Sequence, residues 1–296
     1  MTGRPAVTAP AAGLVRSLAL AADGADRFTG LSPALGWRRI FGGLVVAQAL
    51  VAMSRTAAGR PAHSLHGYFM LPGDPGEPVG YAVERLRDGG SFTTRRCVAS
   101  QHGRPIFTMS ASFHVSEPNA LDHASPVPDV PPPEALPTPD DVRTGRAGAL
   151  PAAVRGYFGR ESPVELRPVD MGRFARRGSG PFAAGQAVWM RAAGPLPDDP
   201  VLHAALLAYM SDMTLLDTAL AAHGRSVFDA DVQAASLDHS VWFHRPSRAD
   251  GWLLYAGDSP SASGARGFAR GSMFDRSGAL VASMAQEGLI RLRDRG

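Results

Sequence analysis

The stretch HAALLAYMSDMTLLDTALAAHG, His203 to Gly224, puts a carboxylate where a buried helix is expected. At helical spacing Asp212 shares a stripe with Ala208, Tyr209, Leu215 and Leu216, with Ala205 and Ala219 one turn further out. A carboxylate on such a stripe loses hydration unless it is paired or hydrogen-bonded. Asp212 is therefore a satisfied core acid or a group put to use, and burial would lift its pKa toward the range where a carboxylate serves as a base. Other polar candidates carry less. His239 and His244 in LDHSVWFHRP alternate to opposite faces of a strand, which favours structural hydrogen bonding over acid–base work. In LPDDPVLH, Asp198 or Asp199 reads as a helix N-cap with Pro200 in the first turn. Cys97 in TTRRCVAS reads as a packed small hydrophobe. Arg266 and Arg270 in ARGFARG could meet phosphates, and an ordinary solvated edge explains them equally well.

The elements that would position these residues occur twice. A proline-dense segment, EPNALDHASPVPDVPPPEALPTPDDVRTGRAGALP, forbids ladder pairing and predicts an extended linker. Before it comes the apolar helix FGGLVVAQALVAM and then strands SLHGYFMLP, VGYAVERLRD, SFTTRRCVASQ and RPIFTMSASFH. After it comes HAALLAYMSDMTLLDTAL, read as one helix, and then SLDHSVWFHRP, GWLLYAGD, ARGFARGSMFD and ALVASMAQEGLIRLR. Tyr68 falls on Trp242 and Pro72 on Pro246 at an offset of 174 (242−68, 246−72), while Ile106 falls on Val281 at 175 (281−106). Self-similarity at so long a period predicts tandem domains, 14–116 and 161–296, joined by a linker over 117–160. A helix without a polar face must be wrapped, and its own antiparallel sheet is the wrapper at hand. The expected fold is α+β, a tandem hotdog, each half a long central helix inside a curved antiparallel sheet.

Bulk properties narrow the function classes. Of 296 residues 45% are hydrophobic and 19% charged, enough for a real core. No apolar run reaches the roughly 18 residues that span a bilayer. The N-terminus reads as a tail leading into a first helix, and a cytoplasmic homo-oligomer is expected. All 30 basic residues are arginine, since no lysine occurs, so Schiff-base chemistry and a phosphate-loop lysine are excluded. The arginines are scattered without interleaved aromatics, against nucleic-acid binding. One cysteine allows neither an intrachain disulfide nor a cysteine metal cluster. G-x-S-x-G, HExxH, CxxC, Walker A and G-x-G-x-x-G are all absent, so neither a serine elbow nor a metal nor a dinucleotide cofactor is indicated.

RIFGGLVVAQAL, HSLHGYFMLPGDPGEPVGYAVERLRDGGSFTTRR, LDHSVWFHRP, SASGARGFARG and LVASMAQEGLIR together resemble the acyl-CoA thioesterase II family over roughly residues 14–293. The resemblance implies a double-hotdog hydrolase of acyl-CoA thioesters that uses no covalent nucleophile. Its implied trio is Asp212 in YMSDMT, Ser236 in AASLDHS and Gln286 in SMAQEG, which together hold a water. Many members have threonine where Ser236 stands. Leu44 replaces the glutamine that commonly follows FGG, which bears on first-half contacts to substrate.

Residue chemistry agrees with these roles. A thioester carbonyl is already activated, so a placed water and a base can suffice. Asp212 would take the proton, Ser236 and Gln286 would orient the oxygen, and backbone N–H groups at a helix start could face the carbonyl oxygen. The competing classes are a hotdog enoyl-CoA hydratase, which lacks its usual Asn here, and an acyl-CoA-binding protein without turnover. Thiol release separates hydrolysis from both.

Overall fold

A helix with no polar face has to be buried on all sides, and the first half is arranged around that need. The computed structural model describes residues 9–33, 38–117, 121–176 and 185–293. Its first half runs α1 (Ala9–Ser17), β1 (Ala21–Ala22), β2 (Arg27–Gly30), α2 (Gly42–Ser54), β3 (Ala62–Phe69), β4 (Val79–Asp88), β5 (Phe92–Gln101) and β6 (Arg104–His114). Residues 43–53 of α2 are all buried, packed on β2 to β6. Gln48 is the polar exception, and its amide is matched completely. Nε2 donates to the Ser17 and Leu31 carbonyls at 2.6 and 3.0 Å, and Oε1 accepts from Tyr81 Oη at 2.6 Å.

The second half runs α3 (Pro139–Thr144), α4 (Ala152–Phe158), β7 (Val164–Pro168), β8 (Gly185–Ala192), α5 (Pro200–Ser211), α6 (Leu215–Ala221), β9 (Val232–Ser236), β10 (Asp238–Phe243), β11 (Leu253–Ser263), β12 (Arg266–Asp275) and β13 (Leu280–Leu292). The strands form one antiparallel sheet in the order β1-β2-β4-β5-β6-β3-β10-β13-β12-β11-β8-β7, with β9 pairing β13 off that path. The order reads the same outward from the β3–β10 pair in both directions. That is the expected tandem hotdog, with one hydrophobic core continuous through both halves.

Two expectations about helices need correction. The helix read over 203–220 is two helices, broken at Asp212–Thr214. Apolar periodicity cannot show the break, at whose two ends donors from the sheet meet the helix carbonyls. Tyr255 Oη on β11 takes the Ser211 carbonyl at 2.9 Å, and Gln186 Nε2 on β8 takes the Thr214 carbonyl at 2.7 Å. As a result α5 lies against α2, while α6 packs on β8, β9 and β11 to β13. The segment expected to be extended also carries α3 and α4. Local chemistry accounts for α3: Thr138 and Asp141 form a capping box, Pro139 opens the first turn, and Gly145 ends it at φ 81°. Val154 and Phe158 then anchor α4 in the core.

Candidate active site

Asp212 is the C-cap of α5, so the carboxylate sits at the helix break rather than along a helical stripe. Its Oδ1 accepts from Gln286 Nε2 at 2.6 Å and from Ser236 Oγ at 3.2 Å. The carboxylate can only accept, so the Gln286 amide must present its nitrogen here. Part of Asp212 stays open to solvent, as a group that must meet a water requires. Protein packs round it closely enough that desolvation pushes its carboxyl up to about 6, against opposing hydrogen bonds from Gln286, Ser236 and the Gly43 backbone.

Three separate elements converge on this point. Ser236 ends β9, in register with Gly288 on β13. Gln286 is fully buried on β13 opposite Ala269 of β12, and its Oε1 is a buried acceptor without a hydrogen-bond partner among the described residues. The start of α2 comes from the other half of the chain. A Cβ on Gly42 would lie 2.8 Å from Asp212 Oδ2, and one on Gly43 would lie 2.5 Å from the Tyr209 carbonyl. Only glycines let the α2 N-terminus close on the carboxylate, and its N–H groups and dipole favour negative charge there. The GG pair was the available signal for this contact. Leu44, where the chain departs from the FGGQ pattern, buries its side chain in the core.

Beside Asp212 opens a cavity of about 500 Å³, lined by Phe41, Tyr157, Phe158, Tyr209, Met213 and Phe228 among others. Aromatic and aliphatic side chains make up most of its wall, with Arg160, Glu161 and Asp217 among the polar ones, and it is within the size range of small-molecule pockets. The Asp212 charge reaches Tyr157 and Tyr209, whose phenols are both raised above their ordinary range, first by burial.

The remaining candidates lie elsewhere. Arg266 and Arg270 are on the outer face of β12, each alternating with buried neighbours, so the sheet separates them from the Asp212 centre. Each already faces an acid, Glu287 at 2.9 Å and Asp258 at 2.9 Å. His239 is fully buried with Nε2 2.6 Å from Ser211 Oγ, and His244 Nε2 lies 2.9 Å from Ser283 Oγ. Asp199 caps α5 through the Val201 and Leu202 amides. Burial pushes the Cys97 thiol up to about 12, which leaves it an inert core group. Among the described residues no group of three His, Cys, Asp or Glu is placed to hold a metal ion. No helix among them is long and apolar enough to cross a membrane.

The equivalent place in the first half has a different occupant. Arg95 pairs with Ala111 as Ala269 pairs with Gln286, and it is only 1% exposed. Its guanidinium reaches the end of α2, donating to Thr56 Oγ1 at 3.0 Å and the Thr56 carbonyl at 2.8 Å, with Asp88 at 2.6 Å. Where the second half assembles a carboxylate, a hydroxyl and an amide, the first half has a paired cation.

Sequence comparison extends over nearly the whole chain. A family described as acyl-CoA thioesterase matches residues 158–289, and one described as the acyl-CoA thioesterase N-terminal domain matches residues 32–114. The chain is 39% identical over 280 residues to acyl-coenzyme A thioesterase 8 of Homo sapiens, covering 90% of this chain and 85% of that one. It is 38% identical to acyl-CoA thioesterase 2 of Haemophilus influenzae, covering 90% of this chain and 93% of that one. The crystal structure of an acyl-CoA thioesterase II from Mycobacterium marinum matches with a TM-score of 0.77 at 41% identity, over 95% of this chain and 99% of that one.

Proposed function

Because the chain belongs to the acyl-CoA thioesterase family, we propose that it hydrolyses fatty acyl-CoA to a free acid and coenzyme A, with Asp212 activating the water. The observation that carries this reading is the convergence of Asp212, Ser236 and Gln286 from three elements onto one carboxylate oxygen. Ionised Asp212 takes a proton as the water oxygen bonds to the thioester carbon. The carbonyl oxygen gains the electron pair, and the positive end of the α2 dipole, whose Gly43 N–H already serves Asp212, favours a developing oxyanion nearby. Collapse of the tetrahedral intermediate breaks the C–S bond, and the departing sulfur receives the proton from Asp212.

Ser236 and Gln286 supply positioning. The unpartnered Gln286 Oε1 is an acceptor that a bound water satisfies, and Ser236 Oγ restrains both the carboxylate and the oxygen beside it. The largely apolar cavity that Tyr209 and Met213 line beside Asp212 supports an apolar acyl group. Arg266 and Arg270 take part in holding the coenzyme A phosphates only by exchanging Glu287 and Asp258 for them. The deciding experiment is thiol release from a panel of acyl-CoA substrates in buffer with EDTA. Release of free coenzyme A is expected, whereas a hydratase or a binding protein would release none.

A further inference from the structure

Ser211, the last residue of α5, is held from two sides by groups to which the proposed hydrolysis gives no task. Tyr255 Oη donates to its carbonyl at 2.9 Å. In a continued helix that carbonyl would accept from the Leu215 amide, four residues on. On the other side, Ser211 Oγ donates its one hydrogen to the Ala208 carbonyl at 2.8 Å and faces His239 Nε2 at 2.6 Å. The Nε2–H form of the imidazole fits this arrangement. It leaves His239 Nδ1 buried and unpartnered among the described residues, a desolvation cost that the fold bears. Gly271 on β12 leaves room for the Tyr255 ring, which a Cβ at that position would strike.

We propose that His239 and Tyr255 are positioning residues for the hydrolysis: by pinning the hydroxyl and the carbonyl of Ser211 they end α5 just before Asp212 and deliver its carboxylate to Ser236 and Gln286. The proposal rests on Asp212 acting as the base. The apolar pattern over 203–220 favours one continuous helix, in which residue 212 would follow the helical path away from β9 and β13. Opposing that continuation is a geometric task, and two buried polar side chains from β10 and β11 perform it. Both suit the task electrically. Burial pushes the His239 imidazole down to about 3, so it stays neutral beside Ser211. Burial and the Asp212 charge hold the Tyr255 phenol well above its ordinary value, so it stays a donor.

Tyr255→Phe and Ser211→Ala each delete one oxygen and keep the packing, so both should fold. Turnover should fall roughly tenfold to a hundredfold through misplacement, while KM stays within about twofold. The second readout is the Asp212 titration itself, followed by carboxyl-carbon NMR in wild type and variants. Freed from its place, Asp212 gains water, and since desolvation is the largest influence on it, its midpoint should move down from about 6 toward the ordinary 3.8. The other ionisable groups in its field, Tyr157 on α4, Tyr209 on α5 and Tyr255 on β11, are all held above their ordinary value of 10.0, so none of them titrates nearby. Folded variants with wild-type turnover and an unmoved midpoint would overturn the proposal. If Asp212→Asn kept full activity, the base assignment would fall, and the NMR midpoint would still decide whether Ser211 is what places the carboxylate.

Discussion

His66 on β3 and Ser240 on β10 face each other across the strand pair that joins the two halves, Nδ1 to Oγ at 3.0 Å and 174 residues apart. They are register partners, and their separation equals the offset of the sequence repeat. A residue paired with its own repeat equivalent marks a local two-fold axis. On either side Leu65 pairs with Val241 and Gly67 with His239, as that axis requires. The two-fold relates the Asp212 centre to the end of α2, where Arg95 lies buried. The duplication is therefore symmetric in its strands and asymmetric in its polar residues.

Asp212→Asn should lower turnover by orders of magnitude and stabilise the protein at the same time. An Asp held at about 6 when folded, against 3.8 ordinarily, binds its proton more tightly in the native state. Ionisation above that midpoint then costs stability, about 3 kcal/mol for a shift of this size, and the cost disappears below the ordinary value. The amide has no such cost. Thermal melts should show the variant above wild type around pH 8, with the gap closing near pH 4. Equal melting at both pH values, with turnover retained, would make Asp212 a satisfied core acid.

The same midpoint sets the pH dependence of catalysis. A base must be ionised, so turnover should fall as pH is lowered through about 6. His239, pushed down to about 3, contributes no step there. A rate that stayed flat down to the ordinary carboxylate range would exclude Asp212 as the base.

Much of this could be seen in the residues and some of it could not, for reasons of range. The wrapped helices, four strands of each half and the duplication follow from local periodicity and from a countable offset, while the sheet order and the outer strands β1, β2, β7 and β8 do not. Asp212 stood out because a carboxylate on an apolar stripe needs an explanation. The break at Asp212–Thr214 was invisible because the groups that meet its two ends, Tyr255 and Gln186, come from strands distant in sequence. Ser236 and Gln286 are unremarkable strand residues until the sheet and the helix end meet. Arg95 reads as one arginine among 30 basic residues, and only the register that sets it opposite Ala111 reveals what it fills. Arg266 and Arg270 drew attention as a charged pair, while their partners Glu287 and Asp258 could not be assigned without strand pairing.

Ser236 offers a discriminating substitution. Its role requires a hydroxyl within reach of Asp212 Oδ1, now 3.2 Å away, and threonine keeps one. Ser236→Thr should change turnover only a few-fold, and Ser236→Ala by roughly tenfold to a thousandfold. Steady-state kinetics on the two variants checks this, and equal losses would point to packing against Gly288 rather than to the oxygen.

The two repeats should carry one active site between them. If both repeats worked, each would need an acid, a hydroxyl and an amide around one helix end. The first half has Ala62 opposite Ser236 and Ala111 opposite Gln286 by the repeat offsets (236−174, 286−175), and Arg95 occupies the intervening space with its guanidinium bonded to Thr56 and Asp88. Neither alanine can orient a water, and a paired cation cannot act as a base. The first half instead contributes the glycine start of α2 to the second-half centre. Gln286→Ala should therefore remove nearly all turnover, because no second centre exists to supply a remainder. Calorimetric titration of the wild type with a non-hydrolysable acyl-CoA analogue should saturate at one per chain. A variant retaining about half its turnover, or a stoichiometry of two, would mean that Arg95 yields its place to substrate and that the first half is active after all.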